Sequence, residues 1–136
     1  MPVERTRALR QSVLRPHMTI DEMVESEPPE AFGVGAFEGD ELIAVGLIGR
    51  EGEPGDWRVR GMATAPEARG RGAGSAVLQA LLRHAVQRGG RRAWASVRTP
   101  ARSLYERAGF APISDVFEVP HIGPHVIMRR ELDGPR

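Results

Sequence analysis

The stretch Arg69–Ser75 reads R-G-R-G-A-G-S, and it limits what this chain can fold into more than any other feature. The run before it, W-R-V-R-G-M-A-T-A-P-E-A (Trp57–Ala68), reads as a strand, and the run after it, A-V-L-Q-A-L-L-R-H-A-V (Ala76–Val86), reads as a helix. Glycines at alternate positions (Gly70, Gly72, Gly74) leave the turn nearly bare of side chains. Backbone N–H groups in such a turn can come close to a ligand. A helix that begins inside the glycines also exposes its unpaired first donors and the positive end of its dipole. That combination suits phosphate, and the flanking Arg69 and Arg71 carry charge of the kind that pairs with phosphate oxygens.

Two familiar phosphate turns do not fit. A P-loop requires lysine and then Ser or Thr after the last glycine, whereas the order here is Gly74-Ser75-Ala76. A dinucleotide turn spaces its glycines G-x-G-x-x-G and expects an acid about 20 residues further on. Here the third glycine comes too early, and Arg91-Arg92-Ala93-Trp94-Ala95 holds no acid. Taken alone, the turn fits an ordinary strand–helix connection equally well.

The rest of the chain supplies alternating elements. Pro2–Leu14 reads as a helix with Leu9 and Val13 inward, stopped by Pro16. Thr19-Ile20-Asp21-Glu22 is a capping box with Met18 and Met23 as its staple, which predicts a short helix over about 20–26, ended by Pro28-Pro29. Phe32–Phe37 and Leu42–Ile48 form a hairpin around Glu38-Gly39-Asp40-Glu41. A polar loop, Glu51–Asp56, leads to a third strand, Trp57–Thr64. The helix after the glycines runs from about 73 to 88, with Val77, Leu78, Leu81, Leu82 and Ala85 inward, Ser75, Gln79 and Arg83 outward, and Gly89-Gly90 as its stop. Arg92–Val97 is a strand. Thr99 is placed as an N-cap before Pro100, and Ala101, Leu104, Tyr105 and Ala108 make one helical stripe ended by Gly109. Strands at about 112–119 and 125–132, joined by Pro120–Pro124, close the chain, and 133–136 form a loose tail. This order predicts an α/β (α+β) architecture, one domain over 1–136, with a mixed, largely antiparallel central sheet and helices on both faces.

Charge and composition narrow the function classes. The 136 residues carry 19 basic and 18 acidic side chains, net +1, which argues against a nucleic-acid binder working through bulk charge. There is no cysteine, hence no disulfide framework and no thiolate nucleophile. The N-terminus lacks an apolar signal core and no apolar run approaches about 18 residues, so the expectation is a cytoplasmic protein with no membrane partner. His121 and His125 lie across Gly-Pro with no carboxylate nearby and read as loop residues, not metal ligands. His17 and His84 read as surface or helix-side residues, and Trp57 and Trp94 as sheet packing or lining for a groove.

The pattern Arg69-x-x-Gly72-x-Gly74 resembles the acyl-CoA pyrophosphate loop of the GNAT superfamily of N-acetyltransferases, and three further segments carry the same resemblance. Tyr105-Glu106-Arg107-Ala108-Gly109-Phe110 is similar to the family's Y-x-x-x-G-F signature, and Met62-Ala63-Thr64 sits where its fourth strand bulges. The segments Leu9–Pro16 and Phe117–Met128 resemble a bacterial branch that includes the ElaA-like proteins. The resemblance implies direct transfer of an acetyl group from acetyl-CoA, without a metal, to an amine on a small molecule or peptide, and leaves room for a homodimer. It implies that Gly72, Ala73, Gly74 and Ser75, within the turn that also holds Gly70, donate N–H groups to the pyrophosphate. Arg69 and Arg71 would lie beside the phosphates. Met62, Ala63 and Thr64 would run along pantetheine, with a bulge N–H near Met62 for the oxyanion. Tyr105 would be the acid for the departing thiolate, though by spacing alone it reads as a core tyrosine.

Three departures from the family matter. Its opening strand is short or missing here, because only Met1–Glu4 precede the first helix. Arg98 stands where many members carry a cofactor-holding asparagine, and the third strand offers Arg58 and Arg60 where many carry a glutamate base. The base is therefore unassigned, and a non-catalytic acyl-CoA sensor or interaction module is the alternative.

Overall fold

The computed structural model describes residues 1–14, 16–25, 27 and 30–132. A 3₁₀ turn, Val3–Thr6, leads into α1 (Arg7–Leu14), followed by α2 (Ile20–Glu25) and the antiparallel strands β1 (Phe32–Glu38), β2 (Glu41–Arg50) and β3 (Asp56–Thr64). The glycine turn and α3 (Ala73–Gln87) cross over to β4 (Arg92–Arg98), and α4 (Arg102–Arg107) leads to β5 (Ala111–Pro112), β6 (Phe117–Val119) and β7 (Gly123–Glu131). The sheet order is β1-β2-β3-β4-β7-β5, with β6 also paired to β7. Among the described strands only β3 and β4 pair in parallel, and a parallel pair needs a long crossover connection. Here the crossover places the glycine turn at the end of β3.

Each face of the sheet is covered by what its strands present. From β2, the run Ile43–Gly49 is buried throughout, as expected of a strand covered on both sides. On one face the α3 stripe Val77, Leu78, Leu81, Leu82 and Ala85 is buried against Trp57, Val59, Ala93, Ala95 and Val97, at about 1.5–3 kcal/mol for each large aliphatic side chain removed from water. Strand alternation then turns Arg58 and Arg60, and Trp94 and Ser96, toward the opposite face, where α1 lies.

The N-terminal helix differs from its sequence pattern. Leu9 and Val13 are only half-buried, and the fully buried side chains are Thr6 and Arg10. α1 crosses the polar end of β3, so that the guanidinium stem of Arg10 covers Gly61: a Cβ at Gly61 would stand 2.5 Å from Arg10 Cδ. Where a further edge strand might have stood there is instead one bond, from the Met1 amino group to the Gly33 carbonyl (2.9 Å). The capping box is as read, with Glu22 N–H donating to Thr19 Oγ1 (3.2 Å) and Thr19 N–H to Glu22 Oε1 (3.0 Å).

Thr99 is not an N-cap: it lies inside a 3₁₀ turn, Thr99–Ala101, that no side chain caps. The expected strand 112–119 is interrupted, because the bend at Ser114-Asp115 lets Ser114 Oγ accept the Ile127 N–H (2.9 Å) and so leaves two short strands along β7. β7 starts at Gly123, so the turn before it is shorter than expected and His125 belongs to a strand. Pro28-Pro29 and the expected tail lie outside the described residues. Among the described residues no helix is long and apolar enough to cross a membrane.

Candidate active site

The site begins where the sheet opens. β3 and β4 pair through Asp56↔Arg92, Trp57↔Ala93 and Arg58↔Trp94 only. β4 then follows β7 as far as Arg98↔His125, while β3 stays with β2 as far as Thr64↔Ala44. The β4-facing edge of β3 from Val59 to Thr64 is therefore left without a strand partner. Along that edge the register with β2 slips: Val45 pairs with Ala63, but Leu47 pairs with Arg60. The extra residue makes a bulge at Gly61-Met62. Gly61 sits at φ +62°, a conformation that a side chain at this position would strain. Met62 turns toward α3, where a Cβ at Gly46 would be 2.5 Å from its Sδ. Ala63 is buried, and Thr64 reaches the start of α3.

On the α3 side the predicted residues come together. Gly72 caps α3 in the left-handed region (φ +81°) with no side-chain hydrogen bond. The first intrahelical bond is Ala76 N–H to the Gly72 carbonyl (3.0 Å), which leaves the N–H groups of Ala73, Gly74 and Ser75 without helical partners. A Cβ at Gly70 or Gly72 would meet nothing within 4 Å, whereas one at Gly74 would lie 3.2 Å from Thr64 Oγ1 and 3.8 Å from Leu104 Cδ2. Gly74 thus lets three segments meet: the end of β3, the start of α3, and α4 one residue before Tyr105. An unpaired strand edge leading to a bare helix start is a track that an extended chain ending in a diphosphate fits.

Tyr105 is 5% exposed and packs edge-to-face on Phe110 (centroids 5.3 Å apart, 90°). Burial pushes its phenol well above the ordinary value. Among the described residues its hydroxyl has no hydrogen-bond partner. The two flanking arginines diverge. Arg71 is half-exposed and donates to both oxygens of Glu38 (2.7 Å each) and to the Glu67 carbonyl (3.2 Å). Arg69 is exposed, and its charge adds to burial in lowering the Arg98 pKa.

The α1 side of the opening holds a cavity of about 250 Å³, walled by Arg10 and Leu14 of α1, Met23 of α2, Arg58 to Gly61 of β3, Ser96 of β4, Val119 of β6 and His125 of β7. Arg58 lies over the Trp94 ring (4.4 Å) and donates to Glu51 (2.6 Å), which Arg60 also grips (3.0 and 3.1 Å). Burial raises the Glu51 carboxyl, but the hydrogen bonds from Arg58 and Arg60 outweigh it and hold it below the usual range. Arg98 donates to the Leu14 carbonyl, so it serves α1, not the glycine turn.

His125 is 3% exposed, and its Nδ1 lies 2.9 Å from the Gly123 carbonyl. A carbonyl oxygen only accepts, so Nδ1 carries the proton and Nε2 of the neutral ring keeps its lone pair. Among the described residues nothing occupies that lone pair.

A family model described as "Acetyltransferase (GNAT) family" matches residues 4–110. The chain belongs to the GNAT acetyltransferase family. GNAT enzymes draw an acyl group from acyl-CoA and acetylate amines. A curated relative, "Uncharacterized N-acetyltransferase YitI" of Bacillus subtilis, is 28% identical over 96% of this chain and 92% of its own length. The fold matches crystal structures of Escherichia coli ElaA (TM-score 0.78, 18% identity, 96% and 93% of the two chains covered) and of the Escherichia coli ribosomal-protein-S18-alanine N-acetyltransferase (TM-score 0.77, 15% identity, 100% and 93%).

Sequence reading missed the cavity under α1. His125 reads as a loop residue although it stands at the edge of the predicted strand 125–132; the strand begins two residues earlier, at Gly123, and places it inside. Leu9 and Val13 are the residues that read as inward on the first helix, and the pattern assigns Arg10 no role. The one signal that was available was the pair Arg58 and Arg60, charged residues on one face of a strand whose other face is apolar.

Proposed function

We propose that the protein is an N-acetyltransferase that moves an acetyl group directly from acetyl-CoA to a primary amine. The observation that carries this reading is the unpaired β3 edge, with its bulge, lying between the glycine turn on one face and the cavity holding His125 on the other. Acetyl-CoA supplies an activated thioester; the remaining chemistry falls to the chain. The N–H groups of Ala73, Gly74 and Ser75 hold the diphosphate, with Gly70 and Gly72 shaping the turn and Arg69 beside it. The backbone of Met62, Ala63 and Thr64 aligns the extended arm.

An amine reaches the site mostly as an ammonium, and His125 Nε2 takes its proton. The nitrogen lone pair then forms the C–N bond. An N–H at the Gly61-Met62 bulge donates to the oxygen as it becomes negative. As the C–S bond breaks, Tyr105 gives its proton to the sulfur, and the second proton leaving the nitrogen passes to solvent, from which the phenolate is reprotonated. A phenol raised above about 10 by burial is protonated at neutral pH, so the acid is in the correct state before each turnover.

The test is thermal shift followed by turnover. Coenzyme A at a hundredfold excess over its Kd should stabilise the chain by about 2.7 kcal/mol. Acetyl-CoA plus an amine panel should release free thiol in step with N-acetylated product. Stabilisation without product on any amine would leave an acyl-CoA binder, and equal stabilisation by NADH would remove the assignment altogether.

A further inference from the structure

The cavity under α1 is lined by arginine to a degree that amine binding does not explain. Arg10, Arg58 and Arg60 all contribute to its wall, and Arg98 is tied to Leu14 in the same wall. Each of the four has a buried Nε–H with no hydrogen-bond partner among the described residues. The case is sharpest for Arg10, whose side chain is only 3% exposed. Buried N–H groups are rarely left unpaired, and a guanidinium stays charged wherever it sits.

The surrounding carboxylates do not balance this charge. Glu27 is shared by Arg7 and Arg10, and Glu51 by Arg58 and Arg60. Among the described residues, four guanidiniums therefore share two carboxylates, and Arg98 adds a fifth that pairs with neither. The neighbouring acids do not help: Asp21 and Glu22 of α2 are exposed, and Glu118 is exposed on the face of β6 away from Val119.

We infer that the acceptor amine carries a carboxylate, which the free N–H groups of Arg10, Arg58 and Arg60 receive while the amine faces His125 and the bulge. This rests on the transferase reading above and narrows its acceptor to amino acids and related small amino-carboxylates. Arg60 adjoins Gly61 and Arg58 stands two residues earlier, about 7 Å along the strand, so a few bonds separate the two groups. A polyamine or other polycation would place its further charges against the same arginines.

Matched pairs test it: alanine against ethylamine, methionine against 3-(methylthio)propylamine, and phenylalanine against phenethylamine. Each is compared by kcat/KM expressed per free amine. The amino acid of each pair should win by tenfold or more, and Arg60→Gln should bring the ratio toward one, chiefly through KM. Calorimetry with N-acetylmethionine on the coenzyme A-loaded protein provides an arm independent of turnover. It should bind, and Arg60→Gln should weaken it at least tenfold; Arg58→Gln gives the same readout should Arg60→Gln fail to fold. Decarboxylated amines turning over as well as amino acids, with no N-acetylmethionine binding, would overturn the acceptor class and leave the transferase reading intact. N-acetylmethionine binding without turnover of any amine would do the reverse.

Discussion

The proposed donor half, on the α3 side, and the proposed acceptor half, under α1, lie on the two faces of one strand, β3, yet they are built from different material. The donor half is mostly backbone: a bulged strand edge, a left-handed Gly72, and three N–H groups at the start of α3. The acceptor half is mostly side chain: guanidiniums of α1, β3 and β4, two carboxylates, and an imidazole from β7. Backbone geometry can serve any member of a family that shares a donor, because it does not depend on which side chains surround it. Side chains are where members can diverge in what they accept. The donor half should therefore fail through glycine and the acceptor half through charge.

The largest expected effect lies where the halves meet. Tyr105→Phe keeps the ring packed on Phe110 and removes only the proton donor, so turnover should fall by about 10²–10⁴-fold while the melting temperature and acetyl-CoA affinity hold. His125→Gln should cause a comparable fall from the acceptor side. Unchanged turnover with lowered stability in either variant would return that residue to the core.

The next effect concerns stability. Glu27→Gln would leave the buried Arg10 guanidinium, and Arg7 beside it, without their carboxylate, at a cost of about 3 kcal/mol in denaturant unfolding. Burial raises the Glu27 carboxyl, but the hydrogen bonds from Arg7 and Arg10 outweigh it and hold it below the usual range. A depressed carboxylate stabilises the fold fully above its unfolded value of about 4.3. That contribution is lost as the pH falls through the lower folded value. Wild type should accordingly lose stability below about pH 4, and Glu27→Gln should lack that part of the loss. Identical acid profiles would show that the ion pair adds nothing.

On the donor side, Gly72→Asp puts a charge and a strained left-handed residue into the diphosphate track. It should erase the stabilisation of about 2.7 kcal/mol by coenzyme A, while Glu27→Gln leaves it in place. The smallest effect is expected at Arg71. Its side chain is half-exposed and held by Glu38, so Arg71→Ala should leave coenzyme A affinity close to that of the wild type. Arg69→Ala should cost more with coenzyme A than with a pantetheine analogue lacking phosphates. An equal loss for both ligands would mark the change at Arg69 as structural.

What could be read from sequence was local. The α3 stripe, the capping box at Thr19, the hairpin around Gly39 and the Gly109 stop depend on residues within a few positions of one another, and each lies where its pattern predicts. The bare turn was legible for the same reason, since glycine spacing encodes its backbone conformation, whereas its link to a diphosphate comes from the family resemblance. Tertiary structure decided the rest. Arg10 is buried because α1 crosses Gly61, some 50 residues away, and Arg71 meets Glu38 across 33 residues. His125 becomes a cavity wall only because β7 runs beside the strand that leaves β3. Periodicity reports which face of an element is apolar, whereas the pairing of distant charges depends on where separate elements cross, and no single window of sequence contains that crossing.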